Sequence, residues 1–411
     1  MREAPETQPT AAVDRTDSGA RLVVQAWLAS RALIALVALV LAVTTGRTVT
    51  DMVSNWDVQH FSRLAAGGYW ADADGTLMAF FPGLPGLLAL GLAVGVPVAV
   101  TGVVVSLVCS AVAAGALYRL GGPAAAVAWL FAPTAVFTVV PYTESLFCAA
   151  AFWAWERARS DRWVAAVLLA AVACSVRVSG LFLIGALVVM VLTTPRVSAV
   201  PVSEGGRPPT PPAELHSLAL AKLRLRRLAL LLVPSAVIAV FATYLHAISG
   251  SWTAWYRAQS TGWVRELTWP WQSFANTIPA IVPGAYADHP WWAAVFRGEM
   301  VSMLVGVLVV VWALVRSVRL LRAGERPILG EAAWVGVQVL AFSLSYWFFS
   351  VNRATLLWFP LWIMLAEWAR RRPRTPGRVV THRTLVGFAL GLEVVLMIWW
   401  CWLFFTGHWA S

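Results

Sequence analysis

Through most of this chain, apolar residues run on without the polar interruptions that give a soluble helix two faces. Such runs fall near residues 22–44, 96–118, 122–140, 144–157, 163–176, 180–194, 227–248, 299–318, 331–350, 354–369 and 384–406. A helix crosses a ~30 Å hydrocarbon core with about 20 apolar residues, a length the longer runs reach. The shorter runs suit broken or re-entrant helices, whose free backbone groups are tolerated where protein or a wet cavity covers them. The pattern predicts an all-α polytopic membrane protein, a single domain over 22–411 with about eleven transmembrane helices. Three stretches break it. Segments 45–95 and 249–298 are long, polar and aromatic. Segment 195–226 begins with Pro195, Pro201, Pro208, Pro209, Pro211 and Pro212 and ends with Lys222, Arg224 and Arg226 beside Arg227, which reads as a flexible loop with a basic end toward anionic lipid. Residues 1–21 are mostly polar and read as a disordered tail, with no cleavage site that would make them a signal peptide.

Composition removes the soluble alternative. The 411 residues are 59% hydrophobic and 12% charged, with mean hydropathy +0.71, against roughly 25% charged residues in soluble domains. The net charge of +11 would suggest nucleic acid in a soluble chain, but here the basic residues sit in short patches between apolar runs, as charges retained in the cytoplasm do. No nucleic-acid partner is expected. Charge also orders the topology. With one span in 96–118, preceded by an interfacial helix over 84–94, Arg119, the Arg157/Arg159/Arg162 patch, the 196–227 loop, Arg316–Arg326 and Arg370–Arg383 all fall on the cytoplasmic side. That puts the N-terminus in the cytoplasm, the C-terminus outside, and segments 45–95 and 249–298 as extracytoplasmic loops. Cys109, Cys148, Cys174 and Cys401 lie far apart in apolar runs and read as packing residues.

The outer loops carry the candidate chemistry. The 24 tryptophans fit anchoring at the membrane interface. The group Trp252, Trp255, Trp263, Trp269, Trp271, Trp291 and Trp292 is denser than anchoring needs, and such rings also stack on sugars. Just after the first span comes Asn55-Trp56-Asp57-Val58-Gln59-His60-Phe61-Ser62-Arg63-Leu64-Ala65-Ala66-Gly67-Gly68-Tyr69. A carboxylate at Asp57 can take a proton from a hydroxyl, with His60 and Arg63 near it to tune it and bind anions. On a helix, Asp57, His60 and Phe61 fall toward one face. The alternative is an ordinary aspartate in a solvated loop.

Phe80-Phe81-Pro82-Gly83-Leu84-Pro85 sets a rigid bend. In Pro141-Tyr142-Thr143-Glu144-Ser145, Glu144 at a span boundary needs water or a partner, or caps a helix. Arg177, in Arg177-Val178-Ser179-Gly180, and Arg353 lie on the outer side. Each suits a lipid phosphate or snorkels to headgroups. Asp72-Ala73-Asp74 has the spacing of a metal-holding DxD motif, though a polar turn explains it equally. Glu299 and Glu393 would mark a proton path in a transporter, or are structural.

In order, WDxxHFxxLAxxGY, FFPxxP, PYTESLF and RxSG resemble the PIG-V-type membrane mannosyltransferases, whose patterns are close to WDxxHYxxIAxxGY, FFPLYP, PYSESLF and RSNG. Gln259 with Trp263, and Arg353 before Leu357-Trp358-Phe359-Pro360, are similar to later features of that family. The resemblance spans about residues 30–365. It implies a GT-C-like fold and transfer of a sugar, usually mannose, from a polyprenyl-phosphate sugar to a lipid or cell-envelope glycan acceptor on the outer face. It further implies inversion at the sugar and Asp57 as base; no cofactor is expected and no metal-ligand set is assigned. Substrate contacts are then expected at His60, Arg63, Tyr69, Tyr142, Glu144, Arg177, Gln259, Trp263 and Arg353. Gly83-Leu84, Val178-Ser179 and Val58 depart from the family patterns and leave the acceptor, and the sugar itself, open. A flippase of lipid-linked sugar, or an inactive homologue, are the alternatives. The first would show paired charges deep in the spans and repeat symmetry, which the sequence does not clearly display.

Overall fold

A computed structural model describes residues 10–71, 75–193 and 213–410, and among them the fold is all-α. The chain runs through α1 (Thr10–Thr45), α2 (Val49–Val53), α3 (Asp57–Gly67), α4 (Gly83–Ala93), α5 (Val98–Gly121) and α6 (Pro123–Leu130). It continues through α7 (Thr143–Arg159), α8 (Trp163–Val176), α9 (Ser179–Thr193), α10 (Ala213–Leu230), α11 (Leu232–Ser249) and α12 (Ala254–Trp263). It ends with α13 (Pro270–Ile281), α14 (Pro290–Arg322), α15 (Leu329–Ser343), α16 (Val351–Ala354), α17 (Phe359–Ala369) and α18 (Pro376–Phe405). Five stretches are long and apolar enough to cross a membrane: Ser18–Thr45, Val98–Gly121, Ser217–Ser249, Pro290–Arg322 and Pro376–Phe405. The shorter apolar helices are α4, α8, α9, α15 and α17. This is a multi-pass membrane protein, and several of the eleven expected spans fall on apolar helices of 10–17 residues.

Two stretches expected to lack structure are partly helical. α1 reaches back to Thr10, into the segment read as a tail. α10 takes up the basic end of the 195–226 loop from Ala213 onward. The prolines of that loop up to Pro212, and the Asp72-Ala73-Asp74 motif, lie outside the described residues.

By internal contacts the chain divides into two compact units. One comprises the described residues of Met1–Gln59, Ala99–Ala149 and Trp362–Ala410. In it α1 packs against α6 and α18. The apolar run 122–140 does not form one helix, because Pro133 cannot continue α6 and the chain passes into a 3₁₀ turn at Ala135–Thr138. That break leaves carbonyls without helical partners in an apolar setting. Arg31, buried in α1, answers them: Nη1 donates to Thr138 Oγ1 at 2.6 Å and to its carbonyl at 3.2 Å, and Nη2 donates to the Leu130 carbonyl at 3.3 Å. The intramembrane charge is the partner of a broken helix.

The second unit holds His60–Val98 and the described residues of Ala150–Leu361. Its core stacks α8 on α9 and α11, α9 on α15, and α15 on α14. The run 331–350 also stops early, since α15 ends at Ser343 and the chain turns through Ser350, at φ +65°, into α16. Glu299, fully buried in α14, holds that turn. Its carboxylate accepts the backbone N–H groups of Ser350 (3.1 Å), Val351 (2.6 Å) and Asn352 (2.9 Å), satisfying donors that would otherwise be orphaned at the start of α16.

Candidate functional site

α3 begins at Asp57, as the helical reading of the motif expects. Val58, Phe61 and Leu64 are buried along one stripe, while Gln59, Arg63 and Ala66 are exposed. Asp57 and His60, one turn apart, are both half-buried beside that stripe. Phe61, four residues on from Asp57 and so on the same face of α3, is buried.

In the first unit, the backbone before Asp57 is fixed from several directions. Asn55 donates Nδ2–H to the Phe404 carbonyl at 2.7 Å and to the Met52 carbonyl at 3.0 Å. Arg47 bonds the Phe405 carbonyl at 2.9 Å and Asn55 Oδ1 at 3.4 Å. Trp56 donates its indole N–H to the His408 carbonyl at 3.2 Å and sits at φ +57°, a left-handed conformation a tryptophan rarely adopts. Backbone held in such a conformation persists only where its surroundings over-determine it, and it clusters at functional sites. The Asp57 backbone N–H then donates to Tyr142 Oη at 3.2 Å. Tyr142 is itself buried and packed on Phe137 and Phe404, with ring centroids 4.9 and 5.6 Å away. Two predicted site residues, Asp57 and Tyr142, therefore meet. Glu144 is fully buried at the start of α7, its carboxylate accepting from Thr143 Oγ1 at 3.4 Å.

In the second unit, His60 stacks on Phe80 at 5.2 Å and meets Trp263 edge-on at 5.7 Å. Its Nδ1 is buried and makes no hydrogen bond. Gln259 and Trp255 both donate to the Ala79 carbonyl, at 3.2 and 3.1 Å, and Tyr69 Oη donates to the Phe80 carbonyl at 2.7 Å. The Phe80-Phe81-Pro82 segment is thus pinned from both sides. In this arrangement one Gln259 Nε2–H and the Tyr69 hydroxyl hydrogen go to backbone carbonyls, which leaves Gln259 its second N–H and its Oε1. Arg63 is exposed on α3. Burial, with Tyr244 close by, pushes the Tyr69 phenol pKa well above the ordinary tyrosine value.

Beside this segment lies a cavity of about 650 Å³ whose lining includes Tyr69, Pro82, Pro85, Ser175, Val240 and Phe241. It is overwhelmingly apolar. Arg177 stands two residues beyond Ser175, in extended backbone between α8 and α9. The next residue, Val178, packs on the cluster of Tyr69, Leu77, Phe81 and Phe241. Arg353 lies in the α16 turn set by Glu299. There Asn352 is clamped by Ser302, which donates to its Oδ1 at 2.9 Å, and by its own bond to the Val295 carbonyl at 3.1 Å. In the tryptophan-rich loop Trp269 stacks on Trp271 at 5.2 Å and Trp252 on His246 at 4.1 Å, while Trp291 and Trp292 both meet His289, at 6.0 and 4.8 Å, and Trp292 continues to Tyr286 and Phe296.

The structure gives Asn55, Phe80 and Glu299 local roles that the motifs do not specify. Asn55 carried a signal, a short polar side chain directly before the Trp-Asp pair. The Glu299–Ser350 link carried none, because 51 residues separate its partners.

No family model matches the chain. Two curated relatives do: GPI alpha-1,6-mannosyltransferase 2 from Mus musculus, 32% identical over 152 residues, and its counterpart from Rattus norvegicus, 31% identical over 152 residues. Each match covers 32% of this chain and 30% of the relative, so the chain spans about a third of the length of the relatives it matches. Among solved structures, ArnT from Cupriavidus metallidurans bound to undecaprenyl phosphate is 15% identical, with TM-score 0.45 over 97% of this chain and 77% of that one. The archaeal oligosaccharyltransferase AglB from Archaeoglobus fulgidus, in complex with an inhibitory peptide and a dolichol-phosphate, is 12% identical, with TM-score 0.43 over 92% of this chain and 56% of that one. Along the matched residues, the chain is homologous to GPI alpha-1,6-mannosyltransferase 2, the PIG-V protein whose motifs it resembles.

Proposed function

We propose that this chain is a membrane glycosyltransferase that moves mannose from polyprenyl-phosphate-mannose to a lipid or cell-envelope glycan acceptor on the extracytoplasmic face, with inversion. The homology to GPI alpha-1,6-mannosyltransferase 2 is the observation that carries this reading. The acceptor hydroxyl attacks the anomeric carbon and gives its proton to the Asp57 carboxylate. The C1–O bond breaks with its electron pair going to the polyprenyl phosphate, which leaves with one more negative charge. The over-determined backbone at Trp56 and the Tyr142 contact support Asp57 as the base, since proton transfer demands a carboxylate fixed within hydrogen-bond reach of its hydroxyl.

The apolar cavity beside Tyr69 and Pro82 has the chemistry to take a polyprenyl tail. Arg177, two residues beyond Ser175 of the cavity wall, and Arg353 are the two arginines that could meet the departing phosphate. His60, Arg63 and Trp263 in the second unit, and Glu144 in the first, are the further candidate substrate contacts. Of the two acids that would mark a proton path in a transporter, Glu299 has a structural occupation, since its carboxylate accepts three backbone N–H groups.

Purified protein in detergent, supplied with labelled polyprenyl-phosphate-mannose and an envelope lipid extract, should pass label to a new product. Asp57→Asn should lose roughly 10²- to 10⁴-fold in rate, the range for removing a general base. Equal transfer by both proteins would remove Asp57 from this role. No transfer by the wild type would count against mannose as the sugar, or against the enzyme itself.

A further inference from the structure

The two ends of α8 meet different chemistry. The helix is ~20 Å long. Its C-terminal end contributes Ser175 to the apolar cavity described above, and its N-terminal end opens on a second cavity of about 530 Å³, beside α10. Part of that second wall is apolar: Val164, Leu168, Leu223 and Leu230. The other part holds Arg162, Arg226 and Arg227, with Asp161 the one acid in the lining, so that three positive charges stand against one negative.

Arg227 is only 7% exposed. Its Nη2 bonds Asp161, and its guanidinium lies 5.3 Å over the Trp163 ring, which fixes its orientation. Its Nε has no hydrogen-bond partner, and neither has the indole Nε1–H of Trp163, a residue 6% exposed. Removing a guanidinium from water is costly unless an anion compensates it. Arg326 interacts electrostatically with Arg227 and Asp161, and also with Glu331 and Arg159, so the surroundings add two positive charges and one negative. Two buried donors without acceptors, beside two exposed guanidinium groups, describe a site that is short of an anion. The apolar part names the kind of anion. Val164 and Leu168 are 58% and 57% exposed on a helix within the membrane-embedded unit, where they would lie along lipid chains.

We propose that this cavity binds an anionic phospholipid. The phosphate lies among Arg162, Arg226, Arg227 and the Trp163 indole N–H, and the acyl chains run along Val164, Leu168, Leu223 and Leu230. Basic pockets between membrane helices take lipid headgroups in this way, as point charges with an apolar annex. The bound lipid would tie α10, the helix that follows the long loop, to α8. The site stands apart from the transfer reaction, at the other end of α8 from the first cavity.

The test is native mass spectrometry of the full-length protein in detergent, titrated with phosphatidylglycerol, with phosphatidylcholine of matched chains, and with inorganic phosphate. Wild type should bind phosphatidylglycerol about tenfold more tightly than phosphatidylcholine, the factor one charge-assisted contact supplies. Arg162→Gln with Arg226→Gln, both exposed positions, should erase that preference while leaving the lipid-free unfolding midpoint in place. Trp163→Phe, which keeps a ring under Arg227 and removes only the N–H, should weaken phosphatidylglycerol binding several-fold. The proposal is overturned by equal binding of the two lipids to wild type, or by a double variant that keeps the preference. It is equally overturned if millimolar inorganic phosphate displaces the lipid, since the ligand is then a free anion. Should the double variant fail to fold, Trp163→Phe decides alone, and unchanged affinity sinks the idea.

Discussion

At the scale of single residues, the chain separates groups that hold the site from groups that face it. Tyr69 is the clearest of the first kind. Its hydroxyl donates to the Phe80 carbonyl, and its ring packs between Phe241 and Tyr244. Tyr69→Phe should cost about 1 kcal/mol at neutral pH, the net worth of a hydrogen bond whose acceptor is left behind. The phenol pKa is raised by burial, so the folded state holds this proton more tightly than the unfolded one. The associated stability is complete below the ordinary tyrosine pKa of about 10 and drains away as pH rises above it. Thermal unfolding followed by circular dichroism from pH 7 upward should therefore show a steeper alkaline decline in wild type than in Tyr69→Phe. Parallel declines would mean that Tyr69 does not ionise on that limb.

At the scale of elements, the departures from the family pattern acquire a physical reason. Gly83 stands where the PIG-V-type pattern has leucine. A Cβ there would lie 2.7 Å from the Ser175 carbonyl oxygen and 2.8 Å from its hydroxyl. The first turn of α4 thus packs directly on the α8 backbone, closer than any side chain permits, and both helices line the 650 Å³ cavity. Gly83→Ala should force the two apart, lowering stability by about 1–3 kcal/mol, as overpacking does. Gly86 is the control, one turn along the same helix with nothing within 4 Å of its added Cβ. Gly86→Ala should leave stability unchanged or raise it by up to ~1 kcal/mol through helix propensity. Unfolding midpoints of the two variants in one detergent give the comparison, and equal effects would refute the close approach of α4 to α8.

For the whole molecule, the topology drawn from charge makes opposite claims about two exposed positions. Thr261 lies in the 249–298 segment assigned to the outside, and Ala323 follows α14 in the arginine-rich stretch assigned to the cytoplasm. Cysteine placed at Thr261 should react with a membrane-impermeant maleimide in intact cells. Cysteine at Ala323 should react only after lysis. The reverse pattern would invert the topology and move the proposed transfer reaction to the cytoplasmic side.

Hydropathy and charge were enough to make this an all-helical, multi-pass membrane protein, because crossing a bilayer leaves so few options that a run of apolar residues nearly names its own structure. Ordered motifs single out Asp57, His60 and Tyr142 as candidates, since short local patterns are legible in the sequence as written. Local periodicity did not reveal where the helices break. Pro133 ends α6 locally, but the carbonyls freed there are satisfied by Arg31, about a hundred residues earlier, and the turn into α16 is held by Glu299, about fifty residues earlier. Nor did it reveal that Tyr69 and Gln259, which look like ligands of a substrate, donate to backbone carbonyls. Such roles belong to partners that are distant in sequence. Only tertiary folding decides them, because a polar group in an apolar interior goes wherever an unsatisfied partner lies.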